Sequence, residues 1–218
     1  MNRTIAIIAG GFFHNREFLK QEIAKIDDPF IICADGAARY AAYFDIVPDM
    51  IVGDMDSIEE EMLNDLVQRG SEVHMYRTDK DETDTQLALQ HAIDMEPREI
   101  LIFGALGGRI DHSLANISLL VMAADEGVPA KIVDESCELF AVKNSCEIKG
   151  EKGVTVSLLP LSSEVTGITI RGFEYPLADG VMRVGTPYGI SNRLSGPEGH
   201  ISIASGCLLI VRYFKEVQ

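Results

Sequence analysis

The first 130 residues alternate between short apolar runs and longer segments in which apolar residues recur with helical period. Helical period places apolar residues on one face, so these longer segments predict amphipathic helices, and the short runs predict buried strands. Strands are expected at 4–10, 30–34, 50–53, 72–77 and 100–106, and helices at 16–26, 37–44, 59–69, 83–95 and 111–126. This alternation is typical of a parallel sheet covered by helices.

The pattern changes after about residue 130, where short apolar or alternating runs follow one another without helical period. Strands are expected at 131–133, 138–142, 154–159, 167–170, 181–184, 201–204 and 207–213, separated by turn residues such as Gly153 and Gly206. Short strands at such spacing indicate a small antiparallel sandwich or barrel. The pattern therefore predicts a parallel α/β domain, residues 1–130, followed by a small antiparallel β-domain, residues 131–218.

The composition of the chain argues against several classes of function. The chain has 218 residues and a formal net charge of −15, which argues against a nucleic-acid partner because phosphate neutralisation needs a basic surface. The four cysteines match no zinc-binding spacing and are expected as buried thiols in a reducing compartment. No apolar run reaches the length of a signal-peptide core or a membrane span. We therefore expect a cytoplasmic protein that does not enter a membrane.

Two acidic clusters carry the clearest chemistry. Asp54 and Asp56, in the segment 53–57, follow a predicted strand, and Asp81 lies in the segment 79–84, which opens a predicted helix. Both places lie on the carboxyl edge of a parallel sheet, where ligands bind. Carboxylates that converge in such a cleft repel one another. Mg²⁺ takes oxygen ligands and usually binds together with substrate phosphates, so the clusters predict metal-assisted phosphoryl chemistry.

Two other strand ends carry weaker signals. Gly10-Gly11 ends the first strand, where the missing side chains let a ligand approach the backbone, although glycine pairs also mark ordinary turns. Asp35-Gly36 ends the second strand, and Asp35 is either a ligand-binding acid or the cap of the next helix. Thr83 is expected as the N-cap of its helix, with acidic residues around the first turn.

A glycine-rich turn follows the strand expected at 100–106. Gly107-Gly108 turns the chain, Arg109 supplies a cation, and Asp111-His112 begins a helix. Glycine turns into helix N-termini bind phosphate through backbone N–H groups, and arginine can grip phosphate oxygens with two parallel hydrogen bonds. His112 is either an acid/base group or a histidine held in a structural hydrogen-bond network.

Taken together, these segments resemble the bacterial type of the thiamine pyrophosphokinase family, in the right order and spacing from about residue 33 to 120. The motifs that carry the resemblance are Ala34-Asp35-Gly36-Ala37, Pro48-Asp49-x-Ile51-Val52-Gly53-Asp54-x-Asp56-Ser57, Lys80-Asp81-x-Thr83-Asp84-x-x-x-Ala88-Leu89, Gly107-Gly108-Arg109-x-Asp111-His112-x-x-x-Asn116 and, late in the chain, Gly189-Ile190-Ser191-Asn192.

The resemblance implies a fold of an N-terminal parallel α/β nucleotide-binding domain followed by a small antiparallel β-sandwich domain. It also implies the reaction ATP + thiamine → AMP + thiamine diphosphate, with Mg²⁺, in a homodimer whose thiamine pocket forms between the α/β domain of one subunit and the β-domain of the other. By motif position it implies that Asp54, Asp56 and Asp81 are the metal and phosphate-site acids and that Arg109 is a phosphate clamp. The remaining implied ATP- and substrate-binding residues are Asp35, Gly36, Lys80, Thr83, Asp84, Gly107, Gly108, Asp111, His112, Asn116, Ser191 and Asn192.

Three alternatives share parts of this pattern. A diphosphokinase acting on another alcohol, such as a hydroxymethylpterin, would share the N-terminal motifs and differ at the acceptor pocket. A non-catalytic nucleotide-binding module would be expected to carry degraded acidic motifs, whereas all of them are present here. A metal-dependent phosphatase would release inorganic phosphate without an acceptor.

Overall fold

The computed structural model describes residues 3–186 and 188–214. The chain divides into two compact units, Met1–Glu135 and Ser136–Gln218. All four cysteines lie in the described part of the chain, and none forms a disulfide. None of the helices in these ranges combines the length and the apolar character that a membrane span requires.

The described part of the first unit contains a six-stranded sheet in the order β6-β5-β1-β2-β3-β4. Its strands are β1 Thr4–Ile8, β2 Phe30–Ala34, β3 Met50–Gly53, β4 Glu72–Met75, β5 Glu99–Phe103 and β6 Ala130–Val133. Its helices are α1 Arg16–Ile23, α2 Ala38–Tyr43, α3 Glu60–Gln68, α4 Asp84–Asp94 and α5 Ile110–Asp125. A 3₁₀ turn, Asp35–Ala37, joins β2 to α2.

Every strand pair in this sheet is parallel. Crossover connections of this kind return the chain to the same edge, so the carboxyl ends of the strands all lie together. All five residues of β1 are buried, and so are four of the five in β2, which explains why both read as continuous apolar runs. The sheet thus presents one rim of loops, and the candidate site lies there.

The strand β6 differs from the sequence-based expectation. The run 131–133 was expected as the first strand of the β-sandwich domain, whereas β6 pairs in parallel with β5, with Ile132 opposite Ile102. The physical reason is its connection: β6 follows α5 after a short turn, and a strand that follows a crossover helix returns to the sheet in parallel. The first compact unit accordingly ends at Glu135 and the second begins at Ser136.

The second unit contains two four-stranded antiparallel sheets in its described residues, β7-β14-β9-β12 and β8-β13-β10-β11. The strands are β7 Cys137–Val142, β8 Ser145–Lys149, β9 Thr155–Pro160, β10 Glu164–Arg171, β11 Leu177–Arg183, β12 Gly189–Arg193, β13 Glu198–Ser202 and β14 Leu208–Tyr213. Apolar side chains from both sheets, including Val156, Leu158, Ile168 and Ile201, form its core. The expected fold class, an α/β unit followed by a β-sandwich, is confirmed.

Two strands of the sandwich were not expected from the sequence. Only Ile148 is buried in β8, and in β12 the buried residue is Asn192 while Ile190 is 48% exposed. With a single buried position each, neither strand shows the apolar alternation that marks a half-buried strand. Both are instead specified by pairing, β8 along β13 and β12 along β9.

Candidate active site

A cleft of about 630 Å³ lies at the carboxyl edge of the parallel sheet. Its walls come from the segments that follow β1, β2, β3 and β5 and from the start of α4. Among the residues suggested by the sequence, those that line it are Gly10, Gly11, Asp35, Gly36, Asp54, Lys80, Thr83, Asp84, Gly107, Gly108, Arg109, His112 and Asn116. Segments from Gly10 to Asn116 in the chain therefore meet at one place in the fold.

Three carboxylates form a cluster at this edge. Asp35, Asp54 and Asp56 each offer an oxygen atom, and these atoms all lie within 4.8 Å of one another. Asp35 is 5% exposed, and its Oδ1 is buried without a hydrogen-bond partner among the described residues. A buried carboxylate oxygen without a donor is destabilising unless a cation meets it. The donor set consists of hard oxygen atoms, so the cluster fits Mg²⁺.

Local backbone turns determine how these carboxylates are oriented toward one another. Asp54 Oδ1 accepts a hydrogen bond from the backbone N–H of Asp56 at 3.2 Å, which closes a turn of the kind that aspartate favours. Met55, between them, has φ of 64°, and Asp35 has φ of 39°. The two acids after β3 therefore approach the cluster from a turn rather than from an extended strand.

Lys80 partly neutralises the acidic cleft. Its Nζ lies 2.9 Å from Asp84 Oδ1 and 3.8 Å from Asp54 Oδ2. Burial lowers the pKa of Lys80, but the carboxylates of Asp84, Asp54 and Asp35 outweigh burial and raise its pKa above the ordinary value. Burial also raises the pKa of Asp84, although Lys80 opposes this shift. Lys80 is thus held as a cation inside the cleft.

The helix α4 begins at the cleft as the sequence predicts. Thr83 is its N-cap, and the Thr83 hydroxyl accepts a hydrogen bond from the backbone N–H of Gln86 at 3.2 Å. Asp84 is the first residue of the helix and faces the cleft. Asp81 is exposed and is not part of the three-carboxylate cluster. Its assignment as a metal ligand stays a prediction.

The floor of the cleft depends on two glycines whose backbones touch. The Gly11 N–H donates to Gly104 O at 2.8 Å, and a Cβ on Gly11 would lie only 2.2 Å from that oxygen. Gly104 has φ of 65°, and a Cβ there would lie 2.6 Å from Ala9 O. The loops after β1 and β5 can therefore pack together only because both positions lack side chains.

The glycine turn before α5 carries Arg109 at its end. Gly107 and Gly108 have φ of 91° and 67°, and the Gly107 N–H donates to Ser113 Oγ at 3.2 Å. Arg109 lines the cleft, but its guanidinium donates to both carboxylate oxygens of Asp111, at 3.2 and 2.5 Å. This pairing raises the pKa of Arg109 and lowers that of Asp111. The Nε and Nη2 donors of Arg109 are therefore both engaged by Asp111 in this structure.

Asn116 has a positioning role. It is buried, and its Nδ2 donates to Ala105 O at 2.8 Å, so it ties the loop after β5 to α5. His112 lines the cleft and is exposed. Its two alternative roles, as an acid/base group or as a structural residue, both stay predictions.

Several residues that line the cleft were not suggested by the sequence: Phe12, Arg39, Tyr40, Thr78 and Thr85. They carry no motif of their own, and they reach the cleft only because their segments follow strand ends. Arg39 and Tyr40 could have been found by counting one helical turn onward from Asp35.

In the second unit, Asn192 and Ser191 have different environments. Asn192 is buried, its Oδ1 accepts from Tyr175 N at 3.0 Å, and its Nδ2 donates to Tyr175 O at 2.8 Å. Ser191 is exposed with φ of 60°, and its backbone N–H donates to Ser157 Oγ at 3.0 Å. Asn192 thus fixes the backbone at Tyr175, while the Ser191 side chain is accessible to a ligand.

We predict that Gly53→Ala distorts the acidic cluster. A Cβ on Gly53 would lie 2.6 Å from Asp35 Cβ, so Asp35 or the strand end must shift. Overpacking of this kind lowers the free energy of unfolding by about 1–3 kcal/mol. Denaturant unfolding and turnover should both show the loss. Gly196→Ala is the matched control, because a Cβ there meets no atom within 4 Å. If both variants are equally stable and active, Gly53 does not position Asp35.

A parallel sheet with an acidic cluster and a glycine turn at its carboxyl edge defines a nucleotide-binding α/β enzyme of the phosphoryl-transfer class. A family model described as "Thiamin pyrophosphokinase, catalytic domain" matches residues 23–132. A second, described as "Thiamin pyrophosphokinase, vitamin B1 binding domain", matches residues 145–208. The chain belongs to the thiamine pyrophosphokinase family, and the resemblance of its motifs is thereby confirmed.

Individual relatives and solved structures support the same family assignment. The thiamine pyrophosphokinase of Bacillus subtilis is 34% identical over 169 residues, which cover 77% of this chain and 79% of that protein. The crystal structure of thiamine pyrophosphokinase from Bacillus subtilis superposes with a TM-score of 0.86 at 29% identity, covering 98% of this chain and 100% of that chain. The crystal structure of the enzyme from Geobacillus thermodenitrificans gives a TM-score of 0.83 at 29% identity, covering 97% and 98%.

Proposed function

We propose that this chain transfers the diphosphoryl group of ATP to the hydroxyl of thiamine, giving thiamine diphosphate and AMP. The observation that carries the proposal is the coincidence of the cleft with the catalytic family match: the acidic cluster, Lys80 and the glycine turn all lie within residues 23–132. In the reaction, the alcohol oxygen forms a bond to the β-phosphorus. The bond from that phosphorus to the α-phosphate bridging oxygen breaks, and AMP leaves with that oxygen.

Mg²⁺ is the proposed cofactor, held by Asp35, Asp54 and Asp56, whose oxygen atoms suit it. When bound, it supplies positive charge to the triphosphate. Asp81 joins the proposal as a further acid of the phosphate site, on the strength of its motif position.

The cations of the chain complete the phosphate site. Lys80 reaches phosphate oxygens from inside the cleft, and Arg109 exchanges its carboxylate partner, Asp111, for a phosphate. Backbone N–H groups of the turn at Gly107-Gly108 add donors without charge. These groups act by positioning and by stabilising negative charge as it moves to the leaving AMP, which is the main requirement of phosphoryl transfer.

We propose that thiamine binds to the second unit near Ser191 and that the active site is shared between the subunits of a homodimer. The match of residues 145–208 to a vitamin B1 binding domain supports the first part. Exposed apolar side chains support the second: Ile110 is 77% exposed and Leu114 61% on α5, and Tyr175 69%, Tyr188 54% and Ile190 48% in the second unit. Clusters of exposed apolar groups mark interaction surfaces. A cationic thiazolium is also compatible with an acidic cleft.

We propose a cytoplasmic location; the lack of disulfides among the four cysteines, which is usual for a reducing compartment, supports it. Its net charge of −15 leaves nucleic acid an unsuitable partner.

An acceptor panel tests the function against its nearest alternative. The protein is incubated with ATP, Mg²⁺ and thiamine, a hydroxymethylpterin or no acceptor, and the products are identified by mass. We expect diphosphorylated product with thiamine alone. Product with the pterin and none with thiamine would assign a different alcohol, and phosphate release without any acceptor would indicate a phosphatase.

Arg109 offers a sharper test of the phosphate site. Arg109→Lys keeps the charge but loses the bidentate hydrogen-bonding geometry, so we expect kcat/KM for ATP to fall by about tenfold or more. We expect a larger fall in kcat/KM for Arg109→Ala. Arg77→Lys is the matched control, because Arg77 is also exposed and donates to both oxygens of Asp79, at 2.7 and 2.6 Å. Full activity in Arg109→Lys, with little loss in Arg109→Ala, would show that Arg109 is only a surface residue.

A further inference from the structure

The segment 77–83 joins β4 to α4 and carries Lys80 into the cleft. Every residue of this segment except Lys80 is exposed. An exposed loop has little buried surface to fix its conformation. The place of Lys80, whose Nζ lies 2.9 Å from Asp84 Oδ1, therefore depends on how the two ends of the segment are held.

Both ends of the segment are anchored. At the far end Thr83 caps α4, and its hydroxyl accepts a hydrogen bond from the Gln86 N–H at 3.2 Å. At the near end stands Tyr76, whose backbone N–H donates to Gly53 O at 2.8 Å. The Tyr76 hydroxyl lies 2.8 Å from His91 Nε2. Tyr76 is thus held to β3 by its backbone and to α4 by its side chain.

His91 lies on the face of α4 that carries Asp84. Seven residues separate the two, which is about two helical turns, so their side chains project from the same side of the helix. Lys80 stands four residues after Tyr76 and four before Asp84. The contact between Tyr76 and His91 therefore joins the start of the segment to the helix face at which Lys80 is received.

His91 is itself held against β4. The ring of His74 packs edge-on against it with centroids 4.8 Å apart, and His74 Nε2 lies 2.8 Å from Glu72 Oε1. Burial, together with His74, lowers the pKa of His91 and outweighs the opposite effect of Asp94 and Glu72. The neutral ring is thereby favoured, and its unprotonated nitrogen can accept the hydroxyl hydrogen of Tyr76.

We propose that Tyr76 and His91 are positioning residues of the phosphate site, whose hydrogen bond holds the segment 77–83 so that Lys80 stays in the cleft. The proposal rests on the proposed function only in taking a polyphosphate as the ligand of the cleft. Neither Tyr76 nor His91 lines the cleft, so their effect on a ligand passes through Lys80. A cation that is already in place when the ligand arrives does not have to be ordered on binding, and affinity rises accordingly.

Binding of inorganic tripolyphosphate tests the proposal. It is measured by calorimetry on the full chain, with Mg²⁺ and without thiamine. Tyr76→Phe keeps the ring and removes only the hydroxyl, and His91→Leu removes its partner. We expect each variant to raise the dissociation constant by about fivefold, the scale of one hydrogen bond, and the double variant to be no weaker than either single one.

Lys80→Met shows whether the effect passes through Lys80. In that background the cation is absent, so adding Tyr76→Phe should leave the dissociation constant unchanged. A role of Tyr76 in the stability of the fold alone would not make its effect on binding depend on Lys80. If Tyr76→Phe weakened binding as much without Lys80 as with it, the positioning role would be wrong.

Ser71→Ala is the matched control. Ser71 stands at the other end of β4, where its buried hydroxyl donates to Pro48 O at 2.7 Å. This variant also loses one side-chain hydrogen bond of the first unit, and denaturant unfolding should show the loss, but its affinity for tripolyphosphate should equal that of the wild type. An unchanged affinity in Tyr76→Phe, or an equal weakening in Ser71→Ala, would overturn the proposal.

The experiment separates the positioning role from the function itself, because it requires no turnover of thiamine. If thiamine were turned over while Tyr76→Phe bound tripolyphosphate normally, the proposed function would stand and the positioning role would fall. If thiamine were not turned over while Tyr76→Phe weakened binding only in the presence of Lys80, the positioning role would stand and the function would fall.

Discussion

Asp54→Asn is expected to lower turnover by at least about a hundredfold, the scale of removing one preorganised electrostatic contact from an active site. Asp54 stands in a cluster with Asp35 and Asp56 whose oxygen atoms lie within 4.8 Å of one another. Asparagine keeps the Oδ1 that accepts the Asp56 N–H, so the turn itself should persist. What is lost is the negative charge that a divalent cation needs.

The stability of this variant is part of the prediction. Removing one of three converging like charges should leave the free energy of unfolding unchanged or raise it, since active-site acids are often destabilising to the fold. Turnover is measured across a Mg²⁺ titration and unfolding in denaturant. Asp65→Asn is the control, because Asp65 is an exposed acid on α3 paired with Arg69. Near-normal turnover of Asp54→Asn at saturating Mg²⁺ would remove Asp54 from the metal site.

Two inactive variants should restore activity when their subunits are mixed. Asp54→Asn disables the acidic cluster of the first unit, and Ser191→Trp places a bulky ring at an exposed position of the proposed thiamine site. If the active site is shared between subunits, a mixed dimer has one site with both defects and one with neither. Random pairing makes half the dimers mixed, so co-refolding equal amounts should recover roughly a quarter of wild-type activity.

The controls for this experiment are the separate variants, refolded alone, and a size measurement showing that each forms a dimer and exchanges subunits. If Asp54 and Ser191 served one site within the same chain, every site in a mixture would keep one defect. Verified exchange with no recovered activity would therefore contradict the shared site, while the reaction assigned to the chain would still stand.

The parallel part of the fold could be predicted from the sequence because its strands β1, β2 and β3 are almost completely buried. The ranges 30–34 and 50–53 coincide with β2 and β3, since apolar runs bounded by Asp35 and Asp54 leave little choice of limits. The strands of the sandwich were harder to predict from the sequence. Strands such as β8, with one buried side chain, form because they pair with strands far along the chain, here β13. The local hydrophobic pattern of β8 does not indicate this pairing.

Some residues of the candidate site could also be predicted from the sequence, and others could not. Asp54, Thr83 and the glycine turn were identifiable because strand ends and helix starts have local signatures, and parallel topology brings such ends to one edge. The motifs favoured Asp81 as the third metal acid beside Asp54 and Asp56, whereas the oxygen atoms that come together in the structure are those of Asp35, Asp54 and Asp56. This arrangement depends on the turn at Met55 and on the close contact between Gly53 and Asp35, which are properties of the folded backbone.

The fate of the β-phosphorus tests the central claim most directly. ATP labelled with ³²P at the β-position is incubated with the protein, Mg²⁺ and thiamine, and the nucleotide and thiamine products are separated. Diphosphoryl transfer predicts unlabelled AMP and labelled thiamine diphosphate in equal amounts, with no AMP when thiamine is omitted. Labelled ADP together with unlabelled thiamine monophosphate, or nucleotide cleavage that does not depend on thiamine, would contradict it.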